Sequence, residues 1–250
     1  MLISSTKGIG VDALKILVYG ESGAGKTSLA KTIGEPTIVI SAEAGLLPLR
    51  GESIDVIDIT TDDKGQPLAK DKRIDRLAEA YQYLLTPEAQ KKYKWIVVDS
   101  LSELSHNLIE KLQVEYPDAK NTLQMYGENS KRMRSLVKLF RDLPHYNVMF
   151  TALSEVEKDE NGQRFMNIQM VGKIAQQLPA YFDEVFFIHT NTDDKKPILV
   201  TGKTDRLMSK DRSGALDATE PPNIGLIAKK IRSTNKATAS VVETKKEENK

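Results

Sequence analysis

The sequence predicts an α/β fold, a mostly parallel central sheet with helices on both faces and an antiparallel edge. Short apolar runs recur along the chain, amphipathic helical stretches lie between several of them, and the last runs stand closer together than the rest. The first run, KILVYG over 15–20, has the unbroken apolar character of a strand buried on both faces. PTIVIS (36–41), IDVIDI (54–59), WIVVDS (95–100), YNVMFTAL (146–153), DEVFFIHT (183–190) and PILVTG (197–202) repeat it. Between them, Ile74, Leu77, Ala78, Tyr81, Leu84 and Leu85 fall on one helical face. Leu101, Leu104, Leu108, Ile109 and Leu112 form a second, and Met133, Leu136, Val137 and Phe140 a third. The polar, aperiodic stretch from Ser233 reads as a disordered tail, so the organisation expected is one domain over 1–232 and a tail over 233–250.

Composition excludes several classes. The 36 Lys+Arg against 35 Asp+Glu leave a net charge of +1, so any nucleic-acid binding must come from a local patch. The chain contains no cysteine, so disulfides and thiolate metal sites are excluded and a reducing cytoplasm suits it. No signal-peptide pattern and no run of transmembrane length is present, so no membrane role is expected. His106, His145 and His189 are scattered without metal-ligand spacing.

The strongest motif follows the first strand. GESGAGKTS comprises Gly20, Glu21, Ser22, Gly23, Ala24, Gly25, Lys26, Thr27 and Ser28, and fits G-x-x-x-x-G-K-[ST] with a strand before it and a helix after. Small residues let backbone N–H groups curl around phosphates, and the helix N-terminus adds partial positive charge. Lys26 is placed to reach the β- and γ-phosphates and the Thr27 hydroxyl to ligate Mg²⁺. Asp99 ends the strand 95–100 and reads as the second Mg²⁺ carboxylate; the bland alternative is a cap for a helix over 101–115, which Ser100 also suits. Neither the guanine-specific Asn-Lys-x-Asp pattern nor a D-x-x-G after the second strand is present, which favours ATP. A small-molecule kinase would share the phosphate loop, but no Arg-rich lid is evident.

The residue after Asp99 is Ser100, not the glutamate that often prepares water in such sites. Glu43, just past the strand 36–41, stands where the edge of an open α/β sheet faces its ligand, and can serve as the general base; otherwise it is a solvated loop residue. Here the motifs resemble those of a family. Ile40-Ser41-Ala42-Glu43-Ala44, together with Val97-Val98-Asp99-Ser100, resembles the corresponding segments of RecA-like P-loop ATPases, and the pattern over about 14–232 is similar to the short phage-encoded members that act in recombination and single-strand annealing. The resemblance implies ATP and Mg²⁺ as cofactors, Glu43 as the catalytic base and single-stranded DNA as the partner. It further implies a homo-oligomeric ring or filament, work beside a single-strand-binding protein, and the cytoplasm, that of a host cell for a phage protein.

Four further segments follow from it. SKDRSG (209–214) resembles the Lys-x-Arg-x-Gly segment by which related ATPases reach a neighbour's γ-phosphate, which would make Lys210 and Arg212 catalytic across an interface; its alternative is a basic turn. FTALSE (150–155) offers Thr151 and Ser154 where a polar phosphate sensor is expected. Two stretches, about 117–127 and 155–172, match the family's DNA-facing loops. Arg164 and Phe165, with Lys173 just beyond, form a minimal single-strand platform, while Asn161-Gly162 equally suits a β-hairpin with Phe165 packed inward. KRMR (131–134) reads as a solvated helix face.

Overall fold

A computed structural model describes residues 13–43, 45–117, 122–191 and 195–234. The strands are β1 (Lys15–Gly20), β2 (Thr37–Ser41), β3 (Asp55–Asp58), β4 (Trp95–Asp99), β5 (Asn147–Lys158), β6 (Arg164–Ile168), β7 (Glu184–Thr190), β8 (Pro197–Val200), β9 (Lys210–Asp211) and β10 (Thr219–Glu220). The helices are α1 (Lys70–Leu84), α2 (Pro87–Lys92), α3 (Leu101–Glu115), α4 (Thr122–Arg141) and α5 over 224–234. The sheet runs β10-β8-β7-β1-β5-β4-β2-β3, with β6 on β5 and β9 on β7. From β7 to β3 every pairing is parallel; β8, β9 and β10 make the antiparallel edge.

The apolar runs are unbroken because both faces are covered. On β1 and β4, Leu17, Tyr19, Ile96 and Val98 face the core shared with α1, α3 and α4. Ile16, Val18, Trp95 and Val97 face the second core, which holds Leu29 and Ala30 after the phosphate loop and Ile224, Ile227 and Ile231 of α5. The same parity sorts functional side chains: Asp99 shares the second face with Val97, and Thr151 shares it with Met149.

Where the fold departs from the sequence reading, the cause is local. β5 runs on to Lys158 because it pairs with β6 as a hairpin, with Gly162 at φ +76° in the turn. β9 and β10 have two residues each, too short for any periodicity. Ser233 and Thr234, expected in the tail, continue α5, their hydroxyls bonding back to the Lys230 carbonyl; 235–250 lie outside the described residues. Among the described residues no helix is long and apolar enough to cross a membrane.

Candidate active site

The phosphate loop joins β1 to a six-residue helix of 3₁₀ form, Thr27–Thr32. Gly20 packs so closely on β7 that a Cβ there would run into the Ile188 carbonyl. Gly23 and Gly25 have φ of +80° and +99°, which side-chain-bearing residues rarely adopt. A Cβ built on Gly23 meets nothing within 4 Å, so there the backbone conformation, not lack of space, calls for glycine. Lys26 is buried; its ammonium donates to the loop's own carbonyls, Gly20 O at 3.0 Å and Glu21 O at 2.8 Å. Burial lowers its pKa from the ordinary lysine value, against the opposing pull of Asp99, Glu43 and Glu21.

Thr27 Oγ1 donates to Asp99 Oδ2 at 2.7 Å, and Thr151 Oγ1 donates to Asp99 Oδ1. Asp99 is therefore not the cap of α3. That part is taken by Ser100, whose hydroxyl accepts the Glu103 N–H at 3.4 Å. Thr151 is the polar group on the phosphate-loop face; Ser154 lies on the opposite face of β5, its buried hydroxyl without a partner.

Glu43 comes to the same place from β2. β2 and β4 are neighbours in parallel register, with Ser41 opposite Asp99. Ala42 N–H donates to the Asp99 carbonyl at 2.7 Å, Ser41 Oγ donates to the Glu43 carbonyl, and Ser100 Oγ donates to Glu43 Oε1. Glu103, the acid in the first turn of α3, is tied to Arg73 at 3.5 Å. Lys26, Thr27, Asp99, Thr151 and Glu43 thus meet at the carboxyl ends of β1, β2, β4 and β5, where an open parallel sheet presents its ligand crevice. The residues fit a nucleoside triphosphate with Mg²⁺: a glycine-rich loop with two positive-φ glycines, a buried ammonium, and a hydroxyl–carboxylate pair of the hard oxygen donors that Mg²⁺ takes.

Lys210 and Arg212 are not in this crevice. β9 pairs with the start of β7, where Glu184 is level with Ile16, four residues before Gly20 and so about 13 Å down the strand. Lys210 turns inward, donating to the carbonyls of Pro179 at 3.0 Å and Phe182 at 2.7 Å of its own chain. Arg212 pairs with Asp183 at 2.9 Å and stays half-exposed.

The second DNA-facing stretch is the β5–β6 hairpin. Phe165 is half-buried in a groove with Met166, Phe187, His189 and Leu207, and Phe187 stacks on His189 with ring centroids 5.6 Å apart. Seven of the chain's ten arginines are held by other side chains: Arg73, Arg76, Arg132, Arg141, Arg212 and Arg232 by carboxylates, and Arg134 by Gln177. Of the three without such a partner among the described residues, Arg164 and Arg206 both line this groove. Phe187, His189 and Arg206 escaped the sequence reading, although the period-2 spacing of Phe187 and His189 places both on one face. Exposed Lys173 does not line the groove. The first stretch, of which 118–121 lie outside the described residues, borders a hollow lined by Tyr116, Met125, Glu115 and Glu128, whose carboxylates oppose phosphate.

The sheet order, the loop and the carboxylate at the end of β4 define a phosphate-loop nucleotide-binding protein. More narrowly, the chain belongs to the AAA_24 family of AAA domains, whose model matches residues 12–213. No curated protein matches it. A solved structure described as a prototypical ATPase from the type III secretion system of pathogenic bacteria is similar at 16% identity and a TM-score of 0.48; the match covers 72% of this chain and 54% of that one, about half its length.

Proposed function

We propose that this phosphate-loop ATPase is a Mg²⁺-dependent enzyme that couples ATP hydrolysis to the handling of single-stranded DNA, in recombination or annealing of the kind phages encode. The observation that carries the hydrolytic part is the placement of Glu43, tied to the same strand end that brings Asp99 to Thr27. Bound Mg²⁺ would neutralise charge on the β- and γ-phosphates. Thr27 and Asp99 would hold it, Lys26 would exchange the Gly20 and Glu21 carbonyls for phosphate oxygens, and Glu43 would take the proton of the attacking water at its free Oε2. Thr151, bonded to Asp99, keeps that carboxylate oriented.

The DNA part is supported by the resemblance of the motifs and by the groove of three rings with two unpaired guanidiniums, the chemistry that stacks bases and neutralises a single strand's phosphates. The groove lies on the face of β7 opposite the helix that follows the phosphate loop, so both ligands would act on the same strands. Assembly into a ring or filament, with Arg212 as the group that crosses to a neighbour, belongs to this reading; so do the cytoplasm and a single-strand-binding protein as companion. The test is ATP turnover with and without oligo(dT), in Mg²⁺ and in EDTA. Stimulation by oligo(dT) that weakens as salt rises supports the reading; turnover indifferent to DNA removes its second half.

A second reading, a nucleotide-gated loader without DNA affinity, has one observation in its favour. Val114, Tyr116, Leu123 and Tyr126 are exposed near the α3–α4 junction, an apolar patch suited to a protein partner. Unstimulated turnover would favour it.

A further inference from the structure

We propose that Ser100 is a positioning residue for hydrolysis, the group that fixes which oxygen of Glu43 meets the water. The inference rests on Glu43 being the base, and the experiment below separates the two. A serine hydroxyl has one proton to donate and two lone pairs to accept with. Ser100 Oγ is completely buried and accepts the N–H of Glu103 from the first turn of α3. That bond turns the hydroxyl so that its single proton points at Glu43 Oε1. The side chain of Glu43 is thereby anchored at one oxygen and keeps the other open, which a base needs if it is to be rigid and still accept a proton.

The neighbouring bonds argue for the same conclusion. Glu43 sits on a loop just past β2, and a loop carboxylate has several rotamers to lose. Ser41 Oγ holds its carbonyl and the Asp99 carbonyl holds Ala42 N–H, so the backbone on both sides of its Cα–N bond is fixed to β2 and β4. Those two bonds place the residue; neither touches the carboxylate. Among the described residues, Ser100 is the group that holds the carboxylate itself. Two consecutive residues at the end of β4 thus divide the work: Asp99 faces Thr27 and the metal position, and Ser100 faces the base. This also accounts for a serine where a base commonly follows the aspartate. The base has moved to β2, and the vacated position orients it.

Ser100 also caps α3, so a loss of activity on substitution needs a readout that a cap would not give. Ser100→Ala removes both cap and donor. Ser100→Gly removes the donor with only a small loss of capping, because glycine is tolerated at that position. The expected result is that both variants bind a fluorescent ATP analogue as the parent does, while kcat falls by about tenfold in each, the scale of a modest misplacement of a reacting group. The decisive measurement is the double-mutant cycle with Glu43→Gln. In that background Ser100→Gly should change kcat by less than about twofold, because the carboxylate it positions is no longer a base. A tenfold loss that persists in the Glu43→Gln background, or full activity in Ser100→Gly with loss confined to Ser100→Ala, would overturn the positioning role. If Glu43→Gln itself turns over ATP normally, the assignment of the base fails, and with it any positioning of a base by Ser100. Failure of the cycle alone, with Glu43→Gln inactive, overturns the Ser100 role and leaves the base in place.

Discussion

At the carboxyl end of β1, Lys26 stands among Glu21, Glu43 and Asp99; toward the amino ends of β1 and β7, Lys15, Lys210 and Arg212 stand among Asp183, Glu184 and Asp211. All three lysines donate to backbone carbonyls, and burial lowers the pKa of all three. The carbonyls differ. Those of Lys26 belong to its own glycine-rich loop, five and six residues away. Those of Lys15 are on Leu143 and Tyr146, and those of Lys210 on Pro179 and Phe182, from parts of the chain far apart in sequence. A cation bonded to its own open loop can give those partners up to a ligand. A cation that ties distant loops together cannot leave without loosening the fold. The first arrangement suits a cation that exchanges partners; the second suits one that holds the fold together.

The largest effect expected from this contrast is at Lys26. Lys26→Ala should lower both nucleotide affinity and turnover, turnover by about a hundredfold or more, with thermal stability nearly unchanged because only loop carbonyls lose a partner. A calorimetric melt beside an ATP titration checks both halves; a large fall in Tm with affinity kept would erase the distinction between the two ends.

Next in size is Glu43→Gln. The amide keeps the shape and still accepts the Ser100 hydroxyl, but it cannot take a proton. Turnover should drop by about a hundredfold while ATP binding survives. Normal turnover would send the search for the base to Glu155, where burial raises the carboxyl pKa with Glu157 adding to it.

Lys210→Met should behave in the opposite way. It strips the Pro179 and Phe182 carbonyls of a charged donor and should cost about 2 kcal/mol of stability, with turnover per folded chain unchanged. Arg212→Ala is the companion test. Its guanidinium is half-exposed, so a neighbour's phosphate remains within its chemistry. If it acts across an interface, mixing Arg212→Ala with Lys26→Ala should restore some turnover at junctions that join an intact loop to an intact arginine. No recovery in assembled mixtures would assign Arg212, like Lys210, to the structural end.

What the sequence displayed of all this follows from the range of each interaction. Lys26 and Thr27 were legible because their spacing in one loop is the chemistry. Asp99 and Glu43 were legible because an acid at the end of a buried strand must emerge at the sheet edge. The bonds from Ser100 to Glu43 and from Thr151 to Asp99 were not, since the partners lie 57 and 52 residues apart. The groove was read only in part for the same reason: Arg206 comes to Phe165 through the bond from Met166 N–H to the Arg206 carbonyl, a contact that no local pattern encodes. SKDRSG shows the converse. Its basic spacing is plain, but the Pro179 and Phe182 carbonyls to which Lys210 donates are invisible in the sequence.

The smallest effect on turnover is expected from a change at the structural end that shows instead as a dependence of stability on pH. Glu184 is fully buried, and its Oε2 has no partner. Burial, reinforced by Asp211, pushes its carboxyl up to about 8 from an ordinary value of 4.5. A folded-state value above the unfolded one means that folding holds the proton more tightly. The stabilisation is complete below about pH 4.5 and drains away as pH rises toward 8, where Glu184 must ionise beside Asp211. Lys15 works in a separate window. Burial lowers it from 10.5 to about 8, so its neutral form favours folding as pH climbs from 8 toward 10.5. Between pH 5 and 8 the Lys15 contribution is therefore flat, and the slope should belong chiefly to Glu184, with Glu155, also raised by burial, adding to it. Tm measured across that range should fall in the parent and fall less in Glu184→Gln, which is neutral throughout. ATP affinity should show no such difference between the two proteins, since Lys26 and Asp99 lie at the other end of the strands. A pH slope identical in both proteins would mean that Glu184 keeps one protonation state from pH 5 to 8, and the carboxyl pair with Asp211 would then be an ordinary part of the fold.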